Sequence, residues 1–319
     1  ADAYERFSID VSRQCRFIKP LLLRTPPDPT SFKPKDLSEL LFLFKRLYGL
    51  GEETIYDTIR FYTMSVAEYL EEYFESDVVK AALSGSGIIG TGLGPYSPGT
   101  AYVLLHHYMG EVDGNIGSWG FARGGMGAVS NALAGALKEH SGEIKTNSEV
   151  SQIIVKNGRA TGVVLANGDE HYAKNIVSNL DVKRTYQKLF DQNDLNEKII
   201  KQVDNFKIRG SSGKLNIALD GLPDFPAMGK NNPLMTADMH FIDSLERMER
   251  AFDDWKNGRW SRDPYCDTLI PTLTDPTMAP PGKHYMSVFV QYAPPKLATG
   301  EWTDKDREDF GKTVIDQIG

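Results

Sequence analysis

Apolar residues recur at helical spacing through the first hundred positions. Tyr4, Phe7, Val11 and Cys15 step by three or four and predict a helix over 2–23. Thr25-Pro26-Pro27-Asp28-Pro29 ends it, because proline lacks the N–H a helix interior needs. Leu37, Leu40, Leu41, Phe44 and Leu47 predict a second helix, capped by Asp36 and broken by Gly49 and Gly51. Further helices are expected over 52–62, from Ser65 through Tyr69, Leu70 and Tyr73, over 77–83, and from Ser97 to Met109 with Pro98 at its first position. Glu68, Glu71, Glu72 and Glu75 read as a solvated face.

The pattern changes after Gly117. Gly124-Gly125 opens a run in which Met126, Val129, Leu133 and Leu137 form one helical stripe, with Lys138 and His140 in the last turn and Gly142 as a stop. A short strand is expected at 143–146, followed by a three-stranded meander. Asn157-Gly158 and Asn167-Gly168 fall between apolar runs, and both read as type I′ hairpin tips, a turn that needs positive φ at both central residues. The last strand of this unit is expected to run through Asn175-Ile176-Val177-Ser178. Asp181 then caps a helix through Tyr186 and Phe190, and another follows at 197–203. Strand patterns at 214–219, 239–242, 267–271 and 285–292 and helices at 245–255 and from Thr303 predict a sheet with helices on it. The chain shows no tandem repeat or low-complexity tract.

Composition narrows the function classes. The 319 residues hold 36 Lys plus Arg against 43 Asp plus Glu, a formal net charge of -7. That balance gives no basis for a general affinity for nucleic acid or anionic membrane. No apolar run reaches the roughly 18 residues that cross a bilayer, which leaves peripheral membrane contact open. Cys15 and Cys266 make no disulfide framework and no paired-cysteine redox motif, so a reducing compartment is expected.

Short motifs add mainly exclusions. Gly85-Ser86-Gly87-Ile88-Ile89-Gly90 matches the dinucleotide fingerprint by letter. That motif needs a strand before it and a helix after it; here a helical run precedes it and Gly94-Pro95 follows, so a flexible inter-helix loop is expected instead. His106 and His107 are adjacent and lack a third ligand at metal spacing, so no metal is expected; either could tune a proton transfer if it lined a cavity. There is no nucleophile elbow, zinc-protease helix or phosphate loop, and no catalytic residue stands out among the carboxylates.

Seven stretches carry a resemblance. The run GGMGAVSNALA with TNSEVSQIIV, NGRATGVVLANG and KNIVSNLD, then SPGTAYVLLHHYMG (97–110), LTDPTMAPPGKH (273–284) and SVFVQYAP (287–294), resembles FAD-dependent oxidoreductases of the phytoene desaturase and amine oxidase superfamily, in particular phytoene dehydrogenase-related members. The resemblance covers most of the chain. It implies an α/β plus α+β fold: a partial Rossmann-like FAD/NAD(P)-binding segment with a β-meander at 113–190, and a substrate domain of mixed sheet covered by helices at 1–112 and 191–319. It implies FAD as cofactor, with Val150 at the adenine through its backbone, Ser178 and Asn179 beside the same cofactor, and Gly124 and Gly125 letting the backbone pass close to the flavin.

The family's N-terminal glycine fingerprint and its C-terminal segment are not in this sequence. The chain is therefore expected to be an internal fragment, inactive alone and without tightly bound FAD. The function implied is dehydrogenation, desaturation or isomerisation of an apolar or partly apolar small molecule. That substrate is expected in a largely apolar cavity between the N-terminal helices, rich in Phe, Leu and Tyr over 37–73, and the sheet after 205. The location implied is cytoplasmic, or mitochondrial in a eukaryote. The alternative is a non-catalytic interaction module that keeps the fold.

Overall fold

The computed structural model describes residues 2–229 and 232–319. In chain order it contains helices α1 (Asp2–Ile18), α2 (Pro34–Tyr48), α3 (Glu52–Thr63), α4 (Val66–Glu71), α5 (Asp77–Ile88) and α6 (Thr100–Tyr108), then a two-stranded ribbon of β1 (Glu111–Val112) and β2 (Asn115–Ile116). Helix α7 (Met126–Glu139), strands β3 (Val150–Lys156), β4 (Arg159–Leu165) and β5 (Glu170–Tyr172) and helix α8 (Glu197–Asn205) follow. The chain ends with β6 (Ser212–Leu219), β7 (Met239–Phe241), α9 (Leu245–Lys256), β8 (Tyr265–Leu269), β9 (His284–Gln291) and α10 (Asp304–Ile318). Two compact units result. The larger runs to Gly125 and resumes at Arg209–Gly319; the smaller is Met126–Ile208.

In the larger unit, Phe7, Val11 and Cys15 of α1 are buried with Phe61, Tyr69, Leu70 and Leu104. The aromatic residues expected around a cavity are thus spent largely on this core, where Phe7 meets the rings of Tyr69, Tyr73, Phe74 and Tyr108 edge-on or tilted. Helix α4 starts with a reciprocal cap: Ser65 Oγ accepts from the Glu68 N–H at 3.1 Å, and Glu68 Oε2 from the Ser65 N–H at 2.9 Å. Helix α2 buries none of its side chains, and Leu37, Leu41 and Phe44 are exposed. Asp36 does not cap it. Pro34 already opens the helix, leaving Asp36 inside the first turn, where its carboxylate accepts from the Asp28 N–H at 3.3 Å.

The stretch 85–90 is not the expected flexible loop. Gly85, Ser86, Gly87 and Ile88 are the last residues of α5. The glycines are there for contact: a Cβ on Gly85 would stand 2.2 Å from Tyr265 Oη, and one on Gly87 would stand 2.8 Å from Val66 Cβ. The helix end is held by Gln291, whose Nε2 donates to Ile88 O at 3.0 Å and whose Oε1 accepts from the Gly90 N–H at 3.0 Å. Helix α6 begins at Thr100 rather than Ser97, because Gly99 is left-handed at its N-cap.

The sheet of this unit is antiparallel, in the order β6-β9-β8-β7. Strand β8 begins at Tyr265 and ends at Leu269, so Pro271 falls in a turn after it. One face packs Cys266, Met286, Val288 and Val290 with Phe310 and Val314 of α10. The opposite face carries one cross-strand row, Lys214–Phe289–Asp267–His240, because alternate residues of a strand point to opposite sides.

In the smaller unit β3, β4 and β5 form the expected meander. Asn157 and Gly158 both have positive φ, 52° and 72°, as a type I′ tip requires. The second tip differs. Only Gly168 is left-handed (φ 91°), its N–H donates to Leu165 O at 2.9 Å, and the Leu165 N–H donates to Asp169 O at 2.8 Å. This is the three-residue loop with a bulge, and Asn167 instead accepts the Asp169 N–H through its side chain. Neither 143–146 nor 175–178 is a strand, since among the described residues no strand lies beside either to complete a ladder. Asp181 does cap the next element, accepting from the Arg184 N–H at 2.9 Å, but the turn that follows at Arg184–Leu189 is π-helical. The stripe on α7 forms as expected, and all four of its apolar residues are exposed, Met126 at 79% and Leu133 at 68%.

Candidate functional site

The polar row of the larger sheet floors a cavity of about 390 Å³. Its other walls come from Ser86 and Ile89 at the end of α5, His107 and Tyr108 of α6, and Trp119. Trp119 is stacked on His107 at 5.9 Å and donates from its indole N–H to His107 O at 3.2 Å. The cavity therefore lies between helices and sheet and is mainly apolar as expected, but it sits against α5 and α6 and its floor carries a charged row.

Asp267 and His240 face each other across β8 and β7, and Asp238 lies two residues before His240, on the same side. His240 Nδ1 is 3.0 Å from the carbonyl oxygen of Ala82. A carbonyl only accepts, so Nδ1 carries a proton and Nε2 is turned to the carboxylates, 3.9 Å from Asp238 Oδ2 and 4.0 Å from Asp267 Oδ2. Burial, followed by the neighbouring Asp238 carboxyl and its charge, pushes the Asp267 carboxyl up to about 7. Asp238 moves the other way: its partial withdrawal from water is outweighed by the neighbouring His240 ring and Asp267 carboxyl, which hold it below the usual carboxylate range. His240 is raised despite its burial, by the Asp238 and Asp267 carboxyls beside it. Burial lowers His107, whose Nδ1 is buried with no partner among the described residues.

On the far side of Phe289, Lys214 donates to Ser287 Oγ. Asp238, His240 and Asp267 bring one oxygen or nitrogen atom each within 4.8 Å of one another.

Of the residues singled out in the sequence, three come together in the smaller unit. Val150 begins β3 and lines a groove of about 610 Å³ with Ser178 and Asn179. Ser178 Oγ lies 2.8 Å from Thr185 Oγ1, and the backbone of 175–179 forms no ladder. Gly124 and Gly125 belong to the larger unit. Both are left-handed, at φ 84° and 75°, a conformation that only glycine adopts easily. The Gly124 N–H is already used: it donates to Asp275 Oδ2 at 2.6 Å, which joins the GGMG stretch to the DPTMAP stretch. His107 is the member of the histidine pair that lines the cavity; His106 points out against Tyr102. Lys214, Asp238, His240 and Asp267 went unmarked in the sequence.

A family model described as flavin containing amine oxidoreductase matches residues 49–318. The chain belongs to that family. It is 33% identical over 336 residues to pyridine nucleotide-disulfide oxidoreductase domain-containing protein 2 of Mus musculus, covering 100% of this chain and 57% of that protein. Prolycopene isomerase of Daucus carota is 29% identical, over 90% of this chain and 43% of its own length. Phytoene desaturase (lycopene-forming) of Pseudescherichia vulneris is 27% identical, over 68% and 41%. The chain thus spans about half the length of the curated relatives it matches.

A crystal structure of a Pyrococcus furiosus protein matches with a TM-score of 0.51 at 18% identity, over 80% of this chain and 55% of that one, which shows a shared fold. The expected α/β plus α+β class stands, and a flavin is the cofactor the family implies. Cys15 and Cys266 are both free, and burial pushes their thiols up to about 11 and about 12, so neither is a thiolate at neutral pH. Among the described residues, no helix is long and apolar enough to cross a membrane.

Proposed function

We propose that this chain is the central portion of an FAD-dependent oxidoreductase of the dehydrogenase, desaturase or isomerase type. The substrate is an apolar or partly apolar small molecule. The observation that carries this reading is the cavity at the larger sheet, where Ile89, Trp119, Leu269 and Phe289 supply an apolar body wall above a few convergent polar groups. The carotenoid isomerase and desaturase among the relatives favour such a substrate. In this reading residues 113–190 are the cofactor-domain segment, and 1–112 and 191–319 the substrate domain. The free thiols fit a reducing compartment, the cytoplasm or, in a eukaryote, the mitochondrion.

The groove in the smaller unit fits part of FAD. It is bordered by Val150 at the start of β3 and by the backbone of 175–179, which no ladder uses and which suits recognition of an adenine edge, with Ser178 and Asn179 beside it. FAD, when bound, supplies the hydride chemistry. This chain's share is to bind and orient the substrate and keep water from it. Gly124 and Gly125 shape the loop beside Asp275 and leave the backbone bare of side chains.

The test compares two proteins. Among the described residues no strand–glycine–helix element is present to hold a pyrophosphate. Two charge-assisted hydrogen bonds of about 1.5–3 kcal/mol each are then missing, a loss of roughly two to four orders of magnitude in affinity. The purified 319-residue chain should be colourless, with a melting temperature that FAD barely moves. The full-length protein should be yellow and release FAD on denaturation. A flavin-free full-length protein would sink the proposal and favour the interaction module.

A further inference from the structure

We propose that Asp267 and Asp238, with His240, form an acid–base pair that holds one proton at the floor of the cavity, and that the ligand it takes carries a carbonyl or hydroxyl oxygen on an apolar body. This deepens the reading of the cavity as a substrate pocket and rests on it.

Two geometric facts carry the proposal. One oxygen of each carboxyl and a ring nitrogen of His240 lie within 4.8 Å of one another at the edge of the cavity, and two carboxylates that close favour keeping one proton between them. His240 stands about equally far from both, 3.9 and 4.0 Å, with its tautomer fixed by Ala82 O. A proton can therefore leave Asp267 without leaving an isolated buried charge. The rest of the floor describes the ligand. Phe289 lies between Asp267 and Lys214 in the same row, with Leu269, Ile89 and Trp119 around it, so the body is apolar. Lys214 keeps donors beyond the one given to Ser287. A pure hydrocarbon pressed onto these donors would strip their water and return no hydrogen bond. An oxygen accepts from Asp267 or His240 and satisfies them.

The step is a proton transfer alone. Asp267 gives its proton to a carbonyl oxygen, or its carboxylate takes one from a hydroxyl; one O–H bond breaks, one forms, and no electron changes hands. The charged and titratable groups facing Asp267 are Asp238 and His240 from the β7 side, Lys214 from β6, His107 and Tyr108 from α6 and the Tyr265 hydroxyl on its own strand; Ser86 and Ile89 of the α5 end carry no charge. With the carboxyl titrating at about 7, the donor is present below neutrality and lost above it.

The probes are cyclohexanone and methylenecyclohexane, which differ only in C=O against C=CH2. Their binding to the 319-residue chain is followed by saturation-transfer NMR in the presence of EDTA. Cyclohexanone affinity should fall about tenfold between pH 6 and pH 8, since the protonated fraction of a group titrating at about 7 falls by that factor. Methylenecyclohexane should bind more weakly and with no pH dependence. In Asp267→Asn, which keeps an N–H donor that does not titrate, the cyclohexanone profile should become flat. Equal binding of the two probes, no binding of either, or an unchanged pH profile in Asp267→Asn overturns the proposal. These titrations need no flavin, so a flavin-free full-length protein would sink the flavoenzyme reading and leave this result standing.

Discussion

Replacing Gly87 by alanine separates a packing glycine from a loop glycine. In an open helix this change stabilises by roughly 0.5–1 kcal/mol, because alanine loses less backbone freedom on folding. Gly87 is not open. Its new methyl would stand 2.8 Å from Val66 Cβ and 2.9 Å from both Cγ atoms. Val66 is wholly buried, and a β-branched side chain on a helix has one strongly preferred rotamer, so it cannot turn aside. Overpacking of this kind costs about 1–3 kcal/mol. The net expectation is a loss of about 1–2 kcal/mol, or roughly 2–8 °C in melting temperature at about 2–4 °C per kcal/mol for a chain of this size class. Gly135→Ala on α7 is the control: nothing lies within 4 Å of its added methyl, so it should gain the helix term alone. Far-UV circular dichroism during heating and urea titration reads both variants. A Gly87→Ala protein as stable as the parent would refute the close contact, and with it the account of why the 85–90 stretch is rich in glycine.

Two further outcomes follow from single carboxylates. Asp254 is buried, 6% exposed, and accepts from the Arg259 side chain at 3.1 Å and from Arg262 through its backbone N–H and guanidinium at 3.2 Å. Asp254→Asn should cost about 1–3 kcal/mol at neutral pH by urea denaturation. Burial raises this carboxyl, but the Arg262 and Arg259 hydrogen bonds win and hold it low. Its contribution is therefore present above the unfolded value of about 3.9 and lost as pH falls through the lower folded one, so parent and variant should converge in acid; a gap that persists there would contradict this. Asp275→Ala should free the Gly124 N–H, and hydrogen–deuterium exchange at Gly124 and Gly125 should accelerate while the global transition hardly moves; unchanged exchange would mean the Asp275 contact does not hold the loop.

What could be read from the sequence depended on the range of the force involved. Local patterns were legible: the stripe on α7, the helix start at Ser65 and the positions of both hairpin tips follow from residues within a few positions of each other. Errors arose where a distant partner decided the outcome. The second Asn-Gly turn took a bulged form because Leu165 bonds to Asp169, a register the dipeptide does not encode. The 85–90 stretch carries loop-forming letters, yet Val66, Tyr265 and Gln291 from three other elements fix it as a helix end. The stretches 143–146 and 175–178 have strand letters, and a strand also needs a neighbour.

The cavity floor shows the same limit more sharply. Lys214, Asp267 and His240 are separated by tens of residues, and none sits in a short motif. They form a row only because β6 pairs with β9, β9 with β8 and β8 with β7 in one particular register. A slip of one residue on β8 would replace Asp267 by Cys266 or Thr268 on this face, and would turn a carboxylate into the apolar layer under α10. The cost of burying that charge without a partner helps to hold the register. The alternation of Cys266, Val288 and Val290 against Asp267 and Phe289 therefore does two things at once. It selects the face that packs on α10, and it places Asp267 beside His240 beneath the cavity.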